Sequence, residues 1–416
     1  MTEYSIEDIP KITKNQLQKL LVIGTHLHQW QGHGIEGLKS VFKEQAFIQI
    51  DPLNPAGRYH DFFLFARIPD YKQGNLERIL YPEGLVFENF FQMMCFIHRD
   101  HFSLFYHRRQ EKNLHKYYQQ QIEYINEHHP SFFTKGLNIL RKNGAQKSTA
   151  LKELGDAALG KSRWKEGIFK TNLFDLLYHF GKTAIVGRDK NFHKLYDLIE
   201  RKYSMDELHP KKYSDEKLFK ERLKLHQKSY PVVDSRITVT KTGKLKISKA
   251  RDAKIQTKEH LSIMFKKSSN SRTPVLVYFL ENNRIYIVPS KWKSIINNLN
   301  YDDEMRAIGP LDPLIQDRKR TEDVFNFEYK WEVYTPGKQR RWGYYILPLL
   351  YKGKLVGRIE PSLKVKDNIL RFVNFHSEPD TKWSKLMVDS LDRLLIRWKE
   401  MTNASEMDLT NVTPLL

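Results

Sequence analysis

The chain has 416 residues, 40% hydrophobic and 28% charged; these proportions suit packed domains, exclude a disordered or fibrous chain, and at roughly 100 to 200 residues per domain predict two to four compact units. Its 69 Lys and Arg against 49 Asp and Glu give a formal charge of +20, which points to a polyanionic partner, because basic side chains set against phosphates release condensed counterions. A single cysteine, Cys95, excludes a disulfide framework and a Cys-based zinc cluster; no apolar stretch reaches the roughly 18 residues of a membrane span, and the acidic start MTEYSIEDIPKITK reads as neither a secretory nor a transit peptide, so a cytoplasmic protein is expected.

Thr13-Lys-Asn-Gln16 fits a capping box and predicts a helix carrying Leu17, Leu20, Leu21 and Ile23. A second short helix is expected over Ile35 to Lys43. It leads into Ala46-Phe-Ile-Gln-Ile-Asp51, a strand pattern that Pro52 ends. Strict alternation puts Ile48 and Ile50 on one face and Phe47, Gln49 and Asp51 on the other. Farther on, a helix around Lys165 to Phe180, the Gly181-Lys182 turn, strand Thr183 to Val186 and the polar turn Gly187 to Asn191 follow the order of a winged helix-turn-helix unit. The order recurs more loosely where Ser214 caps a basic helix through Lys228 and strands Val275 to Leu280 and Arg284 to Val288 flank Glu281-Asn-Asn283. Between them, Arg236 to Arg272 holds eleven Lys and Arg against Asp252 and Glu259 and reads as a solvated basic loop. The last part is β-rich: Tyr344 to Tyr351 and Lys354 to Ile359 meet at a Lys352-Gly353 turn. A final helix keeps Trp383, Leu386, Met387, Leu391, Leu394, Leu395 and Trp398 on one apolar face.

Walker, nucleophile-elbow and His-Glu-x-x-His signatures are absent from the sequence. His26, His28 and His33 sit at a helix end with Glu36 as the one nearby carboxylate, which argues against metal. Cys95, in Met-Met-Cys-Phe, reads as a small buried hydrophobe, Asp302-Asp-Glu304 as a solvated loop, and one of Tyr344 and Tyr345 as core. Gln49-Ile-Asp51 is the sharper candidate, since an amide and a carboxylate on one strand face can hold a water against an electrophilic carbon. Chance supplies about one Gln-x-Asp in a chain of this length, and a strand end satisfying local backbone is the plain alternative.

The run Phe47-Ile-Gln-Ile-Asp-Pro-Leu-Asn54 with Arg58, Leu64-Phe-Ala-Arg67 and Tyr71 resembles the winged-helix DNA glycosylases that unhook interstrand crosslinks, the AlkZ/AlkX-like family, in its Gln-x-Asp branch. The likeness returns at Gly309-Pro-Leu-Asp-Pro313, Asp317-Arg-Lys-Arg320, Tyr334-Thr-Pro336, Arg341-Trp-Gly-Tyr-Tyr-Ile-Leu-Pro-Leu-Leu350 and Leu355-Val-Gly-Arg358, with a weaker middle match at Phe192 to Leu198. After Phe87-Glu88 the family carries a His and a Glu where this chain has Gln92 and Met93. The resemblance implies an α+β fold of tandem winged helix-turn-helix units, 1–135, 136–212 and 213–295, with a C-terminal β-rich domain over 296–416. It implies a monofunctional enzyme, without metal or organic cofactor, that hydrolyses the N-glycosidic bond of N7-alkylated or crosslinked purines in double-stranded DNA. Gln49 and Asp51 match the catalytic pair. Asn54, Arg58, Arg67, Arg318, Arg320, Lys338, Arg340 and Arg341 are expected at the DNA, and the protein is expected to act as a monomer. Two other readings stay open: a non-enzymatic winged-helix regulator and a polyanion binder driven by charge alone.

Overall fold

A computed structural model describes residues 9–81, 83–91, 93–106, 109, 116–148, 168–209, 213–239, 245–247, 275–364 and 366–412. The fold mixes helix and sheet and divides into two compact units, residues 1–76 with 223–416, and residues 77–222. The strand Lys11–Ile12 pairs in parallel with Val275–Phe279, some 260 residues downstream.

In the larger unit, one five-stranded sheet orders Lys11–Ile12, Val275–Phe279, Arg284–Val288, Val233–Val239 and Leu245–Ile247. Asn283 turns its central hairpin at a φ of 55°, a left-handed position that Asn tolerates. The helix Lys14–Gly24 begins at Thr13 with both capping-box bonds formed and buries Leu17, Leu20, Leu21 and Val22 against this sheet's Val277, Phe279, Tyr286 and Val288. Ile23 lies off that face. The second sheet orders Arg306–Ala307, Leu347–Tyr351, Lys354–Lys364, Ile369–Ser377 and Glu406–Asp408. The helix Lys385–Thr402 buries Met387, Leu391, Leu394, Leu395 and Trp398, while Leu386 is exposed and leaves the expected stripe. The basic segment is not all loop, because Val233–Val239 and Leu245–Ile247 are strands; residues 240–244 and 248–274, which hold the rest of it, lie outside the described residues.

Asp302-Asp-Glu304 is likewise no free acidic loop. Asp302 takes both ends of the buried Arg306 guanidinium, at 2.7 and 2.5 Å, Asp303 pairs with Lys352, and Glu304 accepts Arg393 at 3.0 Å.

In the smaller unit, Ile168–His179, Thr183–Arg188 and Lys194–Leu198 keep the helix, turn and hairpin order, with Gln146–Lys147 as the third strand. A second hairpin, Val86–Phe90 with Met94–His98, carries Glu88 inward. Arg188 clasps the Glu88 carboxylate at 2.9 and 2.5 Å, and Tyr81 donates to it at 2.7 Å. Cys95 is buried, and burial pushes its thiol up to about 12, which leaves it unreactive. Met93 is exposed at the hairpin end, and Gln92 lies outside the described residues.

The deepest polar contact of the larger unit joins Arg67 and Asp312, both fully buried, at 2.9 Å. Arg67 also donates to the carbonyls of Thr25 and Phe63, each at 2.9 Å, and lies over the Phe63 ring. Breaking one half of a buried pair strands the other, so Asp312→Ala is expected to cost about 3–5 kcal/mol. Urea denaturation checks this, and an unchanged midpoint would show that the pair does not hold the unit together.

Candidate active site

Phe47 and Ile48 anchor the Phe47–Gln49 strand in the core. The Phe47 N–H donates to Ser229 Oγ at 3.2 Å, and its ring leans on Tyr230 at 5.7 Å. Regular strand stops at Gln49, one step before the alternation would reach Asp51. Asp51 instead opens a turn, accepting the Leu53 N–H at Oδ1, 2.9 Å away. Gln49 and Asp51 are both half-buried, and among the described residues no partner engages the Gln49 amide. Burial pushes the Asp51 carboxyl above its ordinary range, against the Leu53 N–H, which pulls it down.

The loop that follows is tied at each step. Asn54 Oδ1 accepts the Gly57 N–H at 2.9 Å, and the Pro55 carbonyl accepts the Leu363 N–H at 2.6 Å. Gly57 has a φ of +134°, a backbone conformation that favours glycine, and a Cβ there would also crowd Phe62 and Met401 at 3.2 and 3.3 Å. Asp61 receives the Arg58 N–H at 2.8 Å and the Tyr71 hydroxyl at 2.7 Å, starting the Tyr59–Phe65 helix. At its other end Arg397 satisfies the carbonyls of Phe65, Ile68 and Pro69, and Arg306 that of Ala66.

A second segment, Arg341 to Tyr345, packs toward the same helix. Its five consecutive backbone N–H groups all end on two buried carboxylates. Glu332 accepts those of Arg341, Trp342 and Gly343 at 2.8–3.3 Å, and Glu360 those of Tyr344 and Tyr345 at 2.7 and 3.1 Å. Burial alone would push the Glu332 carboxyl up; the three N–H donors overcome it and hold it below its ordinary range. With these donors turned to carboxylates, the strand expected from Tyr344 starts only at Leu347. Tyr345 is the core member of its pair and Tyr344 the exposed one.

The expected DNA contacts separate into two groups. Arg67 is sealed in the core. Arg320 is buried too, donating to the carbonyls of Val232 and Pro313 at 2.6 and 2.5 Å. Arg318 spends its guanidinium on Ile315 and Pro310 at 2.7 and 2.8 Å and covers Tyr329. Arg67 and Arg320 are thus buried within the fold, which corrects their expected exposure to phosphate, and Arg318 is half-buried. Asn54, Lys338 and Arg341 are exposed, Arg58 and Arg340 half-exposed. Arg340 lies over Tyr344 and Arg341 over Trp342, with exposed Tyr334 nearby against Trp331. Sequence reasoning missed Glu332 and Glu360, whose partners lie 9 to 16 residues away with no periodic signal. Among the described residues no group of three or more His, Cys, Asp or Glu gathers as a metal site would require. No helix among them is long and apolar enough to cross a membrane.

The fold is similar to that of the Streptomyces sahachiroi DNA glycosylase AlkZ, with a TM-score of 0.56 and 11% identity, covering 95% of this chain and 98% of that one. A family model described as DNA glycosylase AlkZ-like matches residues 43–226 and 276–397, which include Gln49, Asp51 and the Arg341 to Tyr345 segment. A match over well more than half of the sequence, on an architecture of the same kind, places this chain in the AlkZ-like DNA glycosylase family.

Proposed function

We propose that the protein hydrolyses the N-glycosidic bond of N7-alkylated purines in double-stranded DNA, bulky adducts and interstrand crosslinks included, as a monomeric, monofunctional glycosylase without a cofactor. The observation that carries this reading is Asp51, a carboxylate partly withdrawn from water and fixed by one backbone N–H, two residues beyond the unengaged amide of Gln49. Alkylation at N7 puts positive charge on the base, so the leaving group departs with little acid assistance. The enzyme must stabilise the positive charge growing on the sugar and deliver water. Asp51 supplies the negative charge and accepts the water proton; Gln49 orients the water. The water oxygen bonds to C1′ as the C1′–N9 bond breaks, and the released electron pair neutralises the purine.

Phosphate contacts are assigned to Arg58, Lys338, Arg340 and Arg341, with Asn54 beside the catalytic loop. The Arg341–Glu328 pair, 2.9 Å apart with both side chains mostly exposed, is weak enough to yield to a phosphate. Three winged-helix units over 1–135, 136–212 and 213–295 and a terminal domain over 296–416 belong to the same proposal. The helix, turn and hairpin order of the smaller unit supports the second of them.

Undamaged-duplex affinity should fall steeply with salt, by about −0.9 in the log-log slope per neutralised phosphate; a flat response in a titration would remove the basic surface from the account. Asp51→Asn should slow single-turnover base release by about two to four orders of magnitude. Because folding raises the Asp51 pKa, its contribution to stability is present at low pH and lost as pH rises through the folded value. The Asn variant should therefore melt no lower than the parent at neutral pH; near-normal excision would take Asp51 out of the mechanism. The same shift sets the acid limb of the rate. Excision needs the ionised carboxylate, so it should decline as pH falls through a midpoint above the ordinary carboxylate value of about 4, and a midpoint at or below that value in a single-turnover pH profile would contradict the assignment.

A further inference from the structure

Between Tyr329 and Tyr345 the sequence sets Lys330, Lys338, Arg340 and Arg341 against a single acid, Glu332. That acid is buried and turned onto the N–H groups of Arg341, Trp342 and Gly343. Lys330, Lys338 and Arg341 are exposed and Arg340 half-exposed, so the outer face of this segment carries cations and no carboxylate of its own. Among them stands Tyr334, 86% exposed, more than any other large hydrophobic side chain among the described residues. Isolated apolar groups at a surface are ordinary, so exposure alone assigns nothing. What holds and surrounds the ring decides its use.

The loop that carries Tyr334 is tied to itself. The Thr335 N–H donates to the Glu332 carbonyl at 2.9 Å, that of Gln339 to Pro336 at 2.8 Å and that of Arg340 to Gly337 at 3.2 Å. Arg340 Nε returns to the Thr335 carbonyl at 2.9 Å. Trp331 meets Tyr334 edge-on, ring centres 6.2 Å apart at 67°. Trp331 in turn stands perpendicular to the buried Tyr345 at 5.8 Å, and Tyr345 leans on Phe62 at 5.7 Å. Phe62 is the ring that crowds Gly57 at the end of the Asp51 loop. These three contacts place Tyr334 within one duplex turn, about 34 Å, of that loop. The other outward rings are already covered in part: Arg340 lies over Tyr344 at 4.8 Å, and Arg341 and Arg358 lie over Trp342 at 4.4 and 3.9 Å.

We propose that Tyr334 is a wedge that enters one base step of the bound duplex and stacks on a base within a turn of the excised nucleotide. Inside a duplex each base face is covered by its neighbours, so a side-chain ring reaches one only by opening a step. A tyrosine already braced and standing in water gives up little conformational freedom in doing so, and the cations on either side of it can hold the flanking phosphates. The inference rests on the duplex lying along this strip, as assigned above to Lys338, Arg340 and Arg341. Tyr334 touches no reacting atom and acts as a positioning residue.

The test uses the full chain and a duplex carrying N7-methylguanine on a 2′-fluoro sugar, which resists glycosidic cleavage and keeps binding apart from turnover. 2-Aminopurine is moved one position at a time through the turn on either side of the lesion. Binding of the parent should change its fluorescence at one step, and binding of Tyr334→Ala should not. Tyr334→Ala should also weaken affinity by about fivefold to a hundredfold, the effect of one stacked base. That loss should be the same at every salt concentration, because a neutral ring releases no counterions. Tyr334→Phe should behave as the parent, since the ring and not the hydroxyl stacks, and neither variant should melt lower. A parent that perturbs no step, parent-like affinity of Tyr334→Ala, a Tyr334→Phe loss as large as that of Tyr334→Ala, or a loss matched by a lower melting temperature would each overturn the inference. An unchanged salt slope when Lys338→Ala and Arg341→Ala are combined would instead overturn the reading beneath it. A shallower slope in that double variant, beside a Tyr334→Ala that binds as the parent does, overturns this inference alone.

Discussion

Burying a guanidinium away from water is expensive unless its charge is matched and its donors are met, and at Arg67 the larger unit supplies a carboxylate and two carbonyls to Nε and Nη1, leaving Nη2 without a hydrogen-bond partner among the described residues. Those partners are the carbonyl closing the first helix at Thr25, the Phe63 carbonyl within the Tyr59–Phe65 helix, and the Asp312 carboxylate. These come from positions 25, 63 and 312, so partial assembly leaves a charge stranded and favours the complete arrangement. Asp312 in turn receives the Leu314 N–H at 3.0 Å, and the carbonyls around it are bonded by Arg318 and Arg320. The helix thus fixed begins at the end of the Asp51 turn, so the loop that carries Asp51 inherits its placement from a contact deep in the core.

The same arrangement separates charge in the sequence from charge at the surface. Arg67, Arg306, Arg320 and Arg358 are each at most 3% exposed; all four are tied to carbonyls, and Arg306, Arg67 and Arg358 also to Asp302, Asp312 and Glu378. Their contribution to a phosphate-binding field is muted by depth and by those acids. Whatever attracts a duplex comes instead from cations at the surface, among which Lys338, Arg340 and Arg341 sit with Tyr334, Tyr344 and Trp342, a mixture of charge and flat apolar surface suited to a nucleic acid.

Much of this was legible in the sequence wherever the determinant is local. Thr13 and Gln16 specify a helix start three residues apart, the Lys352-Gly353 turn and the stripe from Met387 to Trp398 follow from neighbours on one element, and Cys95 from its apolar setting. The strand to Gln49 was legible, but not its end: Asp51 turns its carboxylate onto the Leu53 N–H, and a side chain competing for backbone outranks simple alternation. The burial of Arg67 and Arg320 was not legible because composition gives the charge of a side chain and not the carbonyls that chain reversal brings to it. Asp302 was misread in the same way, since its partner Arg306 is close in sequence but is buried only by Ala66 and Trp30 from far upstream.

The Arg341 to Tyr345 segment is held by its main chain, through N–H groups that every residue except proline possesses. Its conformation is therefore insulated from the identity of its outward side chains. Arg341 and Tyr344 can be exchanged without cutting any of the five tethers, whereas Gly343 cannot, because a Cβ there would lie 2.2 Å from Glu360 Oε2. A frame of this kind keeps the geometry of the segment fixed whatever Arg341 and Tyr344 present to solvent, so a change of side chain at either alters the chemistry of the surface and not its shape.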